Sequence, residues 1–171
     1  MITPEYGQVL ASYNQWMNDK LYRICQGIPQ EERQQERGAF FKSIDGTLNH
    51  LLVGDKIWLG RFINQPFRAP LNQTLYADFA DLWQERQRVD QQLLDWASGL
   101  SQEWLAQPFS WTSGSDGETR IRPTWLLVAH LFNHQTHHRG QLTTLLSQMG
   151  RDPGVTDLPW MPTFHEAQGS S

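Results

Sequence analysis

The sequence predicts an all-α protein built as a four-helix bundle. Three observations carry that reading. Four long stretches repeat apolar residues at helical spacing, turn-rich gaps separate them, and strand-like signals are confined to one short region. The 171 residues, 39% of them hydrophobic and 19% charged, are enough for one domain with a real core. The domain is drawn over residues 1–165, with 166–171 as a flexible tail.

The first helix opens at Thr3-Pro4, a capping residue followed by a proline whose fixed φ suits the first helical position. Tyr6, Val9, Leu10, Tyr13, Trp16, Met17, Leu21 and Ile24 recur at helical spacing, and Gly27 and Pro29 end the run. The polar segment QEERQQERGAF has room for a short helix. The second helix starts at Ser43, another cap. Its apolar face holds Ile44, Leu48, Leu51, Leu52, Trp58, Leu59 and Phe62, with His50 and Asp55 among them. The gap QPFRAPLNQT is long for a turn between antiparallel neighbours, so at least one connection is a crossover. The third helix runs from about Tyr76 to Ala97, with Phe79, Leu82, Trp83, Val89, Leu93 and Trp96, and Ser101 can cap one extra turn. FSW and TRI, flanking Gly and Asp residues, read as a small hairpin or structured loop. The fourth helix begins at Pro123 and stops at Gly150. Pro153, Pro159 and Pro162, with Trp160 and Phe164, then suit an extended tail packed across the bundle.

Net charge is -4, which argues against a nucleic-acid binder needing a basic face. Cys25 is the only cysteine, so neither an internal disulfide nor a multi-cysteine zinc site can form. The sequence shows no membrane-spanning apolar run, and MITPEYGQVL lacks the basic and apolar regions of a signal peptide. A cytoplasmic location is the expectation. Trp16, Trp58, Trp83 and Trp96 sit at helical spacing and read as core, whereas Trp111, Trp125 and Trp160 lie in or near loops and are candidates for a pocket wall.

The stretch FNHQTHHRGQL carries the chemistry. With about 100° per residue, the apolar stripe of the fourth helix centres roughly 70° from His134 and about 30° from His138. His130 and His137 lie about 110° and 130° from that centre, at or beyond the edge. His134 and His138 are therefore an inward i, i+4 pair, and two imidazoles so placed can reach one ion. A single inward histidine is usually just hydrogen-bonded. A pair with a third ligand from another helix points instead to metal, and neutral imidazole suits zinc, nickel, copper or iron. His50 ranks first as third ligand and Asp55 second, while His165 is hard to place in the tail. Asp55, in an apolar sector, needs a partner, and Arg139 is the one assigned here, as a structural ion pair. The alternative for Asp55 is orienting a ligand or acting as a general base, and Arg139 and His137 are further candidates for orienting a ligand or lining the pocket.

NHQTHHRGQLTTLLSQMG closely resembles the last-helix signature of the DinB-like family, named for DNA-damage inducibility. TLNHLLVGDKIWLGRF resembles its second-helix motif, and YNQWMNDKLY is similar to its first helix. The resemblance runs from the first helix to near Trp160. It implies an up-down-down-up bundle, a homodimer, and a divalent metal held by His50, His134 and His138. Nickel or zinc is the implied metal, with iron or manganese as alternatives. Relatives include thiol-dependent S-transferases and isomerases using mycothiol or bacillithiol, so the implied partner is a small-molecule substrate such as a low-molecular-weight thiol. The leading hypothesis is a metal-dependent hydrolase or thiol transferase. The alternative is a non-catalytic metal-binding stress-response or interaction protein. A fourth protein ligand such as Asp55 would favour the latter, and an open cleft the former.

Overall fold

The helix starts fall where capping chemistry puts them. In the computed structural model, which describes residues 1–114 and 116–162, α1 spans Pro4–Gln26 and its Thr3 hydroxyl accepts from the Tyr6 amide. A short α2, Gln30–Gln34, occupies the polar segment. Helix α3, Ile44–Phe62, is capped by Ser43, which accepts from Gly46 N–H at 3.0 Å. Helix α4, Phe79–Ser98, begins later than its apolar pattern suggested, because Asp78 accepts from Ala80 and Asp81 N–H and sets the start. Ser101 caps a single extra turn, α5, Gln102–Ala106. Strands β1, Pro108–Thr112, and β2, Thr119–Pro123, form an antiparallel hairpin with Ser110 opposite Ile121. Helix α6, Thr124–Gln148, closes the bundle, and one 3₁₀ turn covers Leu158–Trp160.

Side-chain contacts along the helices give their directions. Between α1 and α4, Asn18 meets Asp90 and Tyr22 meets Phe79 and Trp83, while an added Cβ at Gly7 would meet Leu100. The numbers run oppositely, so the two are antiparallel. Between α3 and α4, Asp55 meets Arg86 and Phe62 meets Trp96, so these run parallel. Between α3 and α6, His50 meets His138 and Trp58 meets His130, which is antiparallel again. The bundle is therefore up-down-down-up, and residues 63–78 are the crossover that a parallel α3–α4 pair requires. Asn49 pins that crossover: its Oδ1 accepts from Leu75 and Tyr76 N–H, and its Nδ2 donates to the Tyr76 carbonyl. After α6 the chain crosses α1, with Tyr13 Oη donating to the Thr156 carbonyl at 2.6 Å. Phe164, His165 and the tail 166–171 lie outside the described residues.

The core is apolar at its ends and polar at its centre. Leu48, Leu52, Leu82, Val89, Leu131 and Leu146 are buried, and Trp16, Trp58, Trp83 and Trp96 pack against them as core residues. The face of α1 differs from its apolar pattern. Its buried line runs through Gly7, Ala11, Asn14, Asn18, Leu21 and Cys25, whereas Tyr6 is exposed. Asn14 and Asn18 face inward because Asp90 on α4 accepts from both, at 3.4 and 2.9 Å. Asp90 also pairs with Arg86 at 2.9 Å, and Arg86 Nη1 donates to Asp55 at 2.7 Å. Gln135 on α6 donates to the other Asp55 oxygen, and Arg139 donates to Asn14 Oδ1. This corrects the assignment of Arg139 to Asp55. The partner of Asp55 is Arg86, which comes from a different helix, while Arg139 turns to α1 and lies over the Tyr13 ring.

Removing one member of a buried pair strands the other's charge. Arg86→Leu is expected to destabilise the fold by about 3–5 kcal/mol in urea titrations, because Asp55 and Asp90 lose their counter-ion. Adding Asp55→Leu to Arg86→Leu should recover part of that loss, a non-additivity that independent sites do not show.

Candidate metal centre

Helix α3 carries His50, and α6 carries His134 and His138 one turn apart. The bundle brings all three together: one ligand atom from each lies within 4.8 Å of the other two. Nε2 of His50 is 3.1 Å from Nε2 of His134, and each of these rings has its centroid 4.5 Å from that of His138. Two nitrogens bound to one ion at about 2.1 Å lie no more than about 4.2 Å apart, so this pair is already spaced for a shared ion. The donor set fits a divalent metal, because a metal-ligating imidazole must present a bare nitrogen lone pair.

Two of the three rings are held by an acceptor on the far nitrogen. His50 Nδ1 donates to the Leu71 carbonyl at 2.8 Å, which leaves Nε2 bare toward the centre. Leu71 belongs to the crossover, so the connection forced by the topology also orients a ligand. His138 Nδ1 lies 3.1 Å from Gln141 Oε1 and donates to it. Gln141 is itself held, since its Nε2 is 3.3 Å from His137 Nε2. The third ring, His134, is fixed by packing. Among the described residues its buried Nδ1 has no hydrogen-bond partner, and a Cβ on Gly54 would stand 3.0 Å from its Cε1. The absence of a side chain at position 54 lets α3 approach this ring closely, and a Cβ there would press on the imidazole.

Burial keeps the rings neutral. It pushes His50 down to about 4, with the Leu71 carbonyl pulling back and His138 pushing further. It pushes His134 down to about 3, helped by His138 and His50. His138 is lowered for the same first reason, opposed by its bond to Gln141.

Above the triad lies a cavity of about 270 Å³, bounded by Phe40, Phe41, Leu71, His137 and Gln141. Phe41 stacks on His50 with centroids 3.5 Å apart and planes at 14°. Its placement depends on Gly46, where a Cβ would stand 2.2 Å from the Phe41 carbonyl oxygen. These phenylalanines sit in a loop with no periodic pattern, so no sequence signal marked them. The tryptophans expected to wall the pocket do not. Trp111 packs on Trp58 at 5.7 Å, Trp125 packs against the core, and Trp160 is 55% exposed. His137 is an exposed residue on the cavity rim, and exposed His130 rests on Trp58. Asp55, ranked second as third ligand, is engaged by Arg86 and Gln135, and Arg139 faces α1.

Fold and site together define a class: a helical bundle whose facing helices gather three histidines that can hold a metal ion. Within that class the chain belongs to the DinB family, whose model matches residues 1–169. It is 26% identical over 155 residues to Protein DinB of Bacillus subtilis (strain 168), covering 86% of this chain and 88% of that one. In structure it is similar to a DinB-like protein from Bacillus cereus ATCC 10987, with a TM-score of 0.58 at 20% identity. That match covers 81% of this chain and 90% of the other.

Two outcomes follow from the geometry. Gln141→Leu should weaken Zn²⁺ or Ni²⁺ affinity by roughly 10–100-fold in competition titrations, and Gln141→Glu should retain it. The second concerns acid. Unfolded histidine titrates near 6.5. With folded values of about 4 and 3, the unfolded chain binds more protons below that point. Stability of chelator-treated protein should therefore fall as pH drops from about 6.5 toward 4. A His50→Phe/His134→Leu variant should lose less over the same window, as read by melting temperature.

Proposed function

We propose that this chain is a divalent-metal-binding protein that uses His50, His134 and His138 for metal-dependent hydrolysis or thiol transfer. The observation that carries the reading is the convergence of three neutral imidazoles at the floor of a cavity. The disposition of Asp55 supports it, because the carboxylate that the sequence offered as a fourth ligand is buried in the core and engaged by Arg86 and Gln135. An ion held by the triad would supply Lewis-acid chemistry, lowering the pKa of a water or thiol toward neutrality.

The chain's own residues do the rest. Leu71 and Gln141 hold His50 and His138 by their Nδ1 atoms, which leaves Nε2 of each free to act as a ligand. Phe41 covers one face of His50 and excludes water from it. An all-imidazole donor set favours nickel or zinc, with iron as an alternative and manganese less well matched. A small molecule bearing a thiol or a hydrolysable bond is the proposed substrate, and a homodimer is the proposed assembly.

The test is an assay of metal-loaded protein against a panel of thiols paired with electrophiles, and of ester and amide substrates. His134→Ala should abolish turnover and cut metal affinity, whereas His130→Ala, outside the triad, should leave both nearly unchanged. Equal rates for wild type and His134→Ala would refute metal-dependent catalysis.

A further inference from the structure

The mouth of the site carries information that the triad does not. Its walls are Phe40, Phe41 and Leu71, with His137 and Gln141 on the rim, and among the described residues no Lys, Arg, Asp or Glu lines it. Phe40 is 79% exposed and Leu71 is 55% exposed, although both are large apolar residues. Phe40 is nevertheless tied to the site, since its ring meets the Phe41 ring edge-on at 4.9 Å and Phe41 stacks on His50. The loop that holds them is closed by Arg37 N–H to the Lys42 carbonyl and Lys42 N–H to the Ala39 carbonyl, both at 2.8 Å. Two apolar groups are thus held out in water beside a metal-type donor set.

We propose that this mouth selects an uncharged ligand with an aromatic or branched-alkyl body, held on Phe40, Phe41 and Leu71 while its donor atom faces the triad. The inference rests on the metal-dependent reading and narrows it to a substrate class. The argument is one of complementarity. A charged body would surrender its hydration against these rings and find no counter-ion among the lining residues. An apolar body would cover surface that Phe40 and Leu71 now expose. A volume of about 270 Å³ admits a small molecule, since it holds roughly nine water-sized groups.

The experiment uses the Co²⁺-loaded full-length protein and three thiols that differ in the body alone: benzyl mercaptan, 4-(mercaptomethyl)benzoate and 2-mercaptoethanol. Binding is read from the thiolate–Co²⁺ charge-transfer band, without any turnover. Benzyl mercaptan should bind about tenfold more tightly than either of the others, the ratio expected from burying one ring face. Phe40→Ala should shrink that preference without changing Co²⁺ affinity, and Phe40→Lys should turn it toward 4-(mercaptomethyl)benzoate. Equal affinities for the three thiols overturn the proposal, as does an unaltered preference in Phe40→Ala. Sedimentation of both proteins closes the other route: a dimer that becomes a monomer in Phe40→Ala assigns this patch to a second copy of the chain and also overturns it. Bound Co²⁺ with no thiol preference refutes the substrate class and leaves the metal reading standing. Absence of Co²⁺ binding refutes both.

Discussion

The structure depends on one buried constraint, the polar chain that joins all four long helices. Asp55 on α3 meets Arg86 on α4; Asp90 on α4 meets Arg86 and the two asparagines of α1; Asn14 accepts from Arg139 on α6; and Gln135 on α6 returns to Asp55. Two guanidinium groups balance two carboxylates. In a medium of low dielectric constant each charge must be bonded: Arg86 pairs with both carboxylates, and Arg139 is held by the Asn14 amide oxygen and the Tyr13 ring. Burial raises the Asp55 carboxyl to about 6, and the nearby Arg86 guanidinium pulls it only part of the way back, so desolvation outweighs the attraction. A leucine core would hold the helices together as firmly. What the polar chain adds is angular definition, because each hydrogen bond is lost if its helix rotates by a fraction of a turn.

That definition bears on the site through adjacency on the same helices. On α6, Gln135 and Arg139 directly follow His134 and His138. The helix therefore carries two parallel i, i+4 stripes about 100° apart. One stripe presents imidazoles, and the other locks into the core. On α3, His50 and Asp55 divide the same two tasks. The ligands are held in position by neighbours that never touch the ion's place, which is how a bundle keeps a three-point site on two helices.

The sequence made some of this legible and hid the rest for definable reasons. On α6 the apolar stripe is strong enough to serve as an angular reference, so His134 and His138 separated from His130 and His137 by arithmetic alone. On α3 the stripe places His50 at its edge and Asp55 nearer its middle, so His50 ranked only first of two, and the resemblance to a known family settled the choice. Helix types and the hairpin followed from period and capping. Partners across helices did not. Arg139 was assigned to Asp55 because it flanks the histidine pair in sequence, yet the mutual rotation of helices gives that place to Arg86. Asn14 and Asn18 disguised the buried face of α1, because the period is sought in apolar residues and these two are polar. The cavity walls were missed since Phe40 and Phe41 belong to an irregular loop, while tryptophans drew attention by size.

Topology and chemistry are coupled most closely at the crossover. Helices α3 and α4 run parallel, so the chain must travel back along a helix of 19 residues, roughly 28 Å, before α4 can begin. A tight turn cannot do this, and residues 63–78 are the consequence. A connection of that length needs anchors, and Asn49 and His50 on α3 provide them by binding Leu75, Tyr76 and Leu71. The bond to Leu71 works in both directions: it secures the loop, and it fixes which nitrogen of His50 is free. An antiparallel α3–α4 pair would need no such loop, and His50 would have no carbonyl at that position to set its tautomer. The parallel step is therefore part of the site's chemistry, because the connection it demands supplies both an acceptor for a ligand and an apolar wall for the cavity above it.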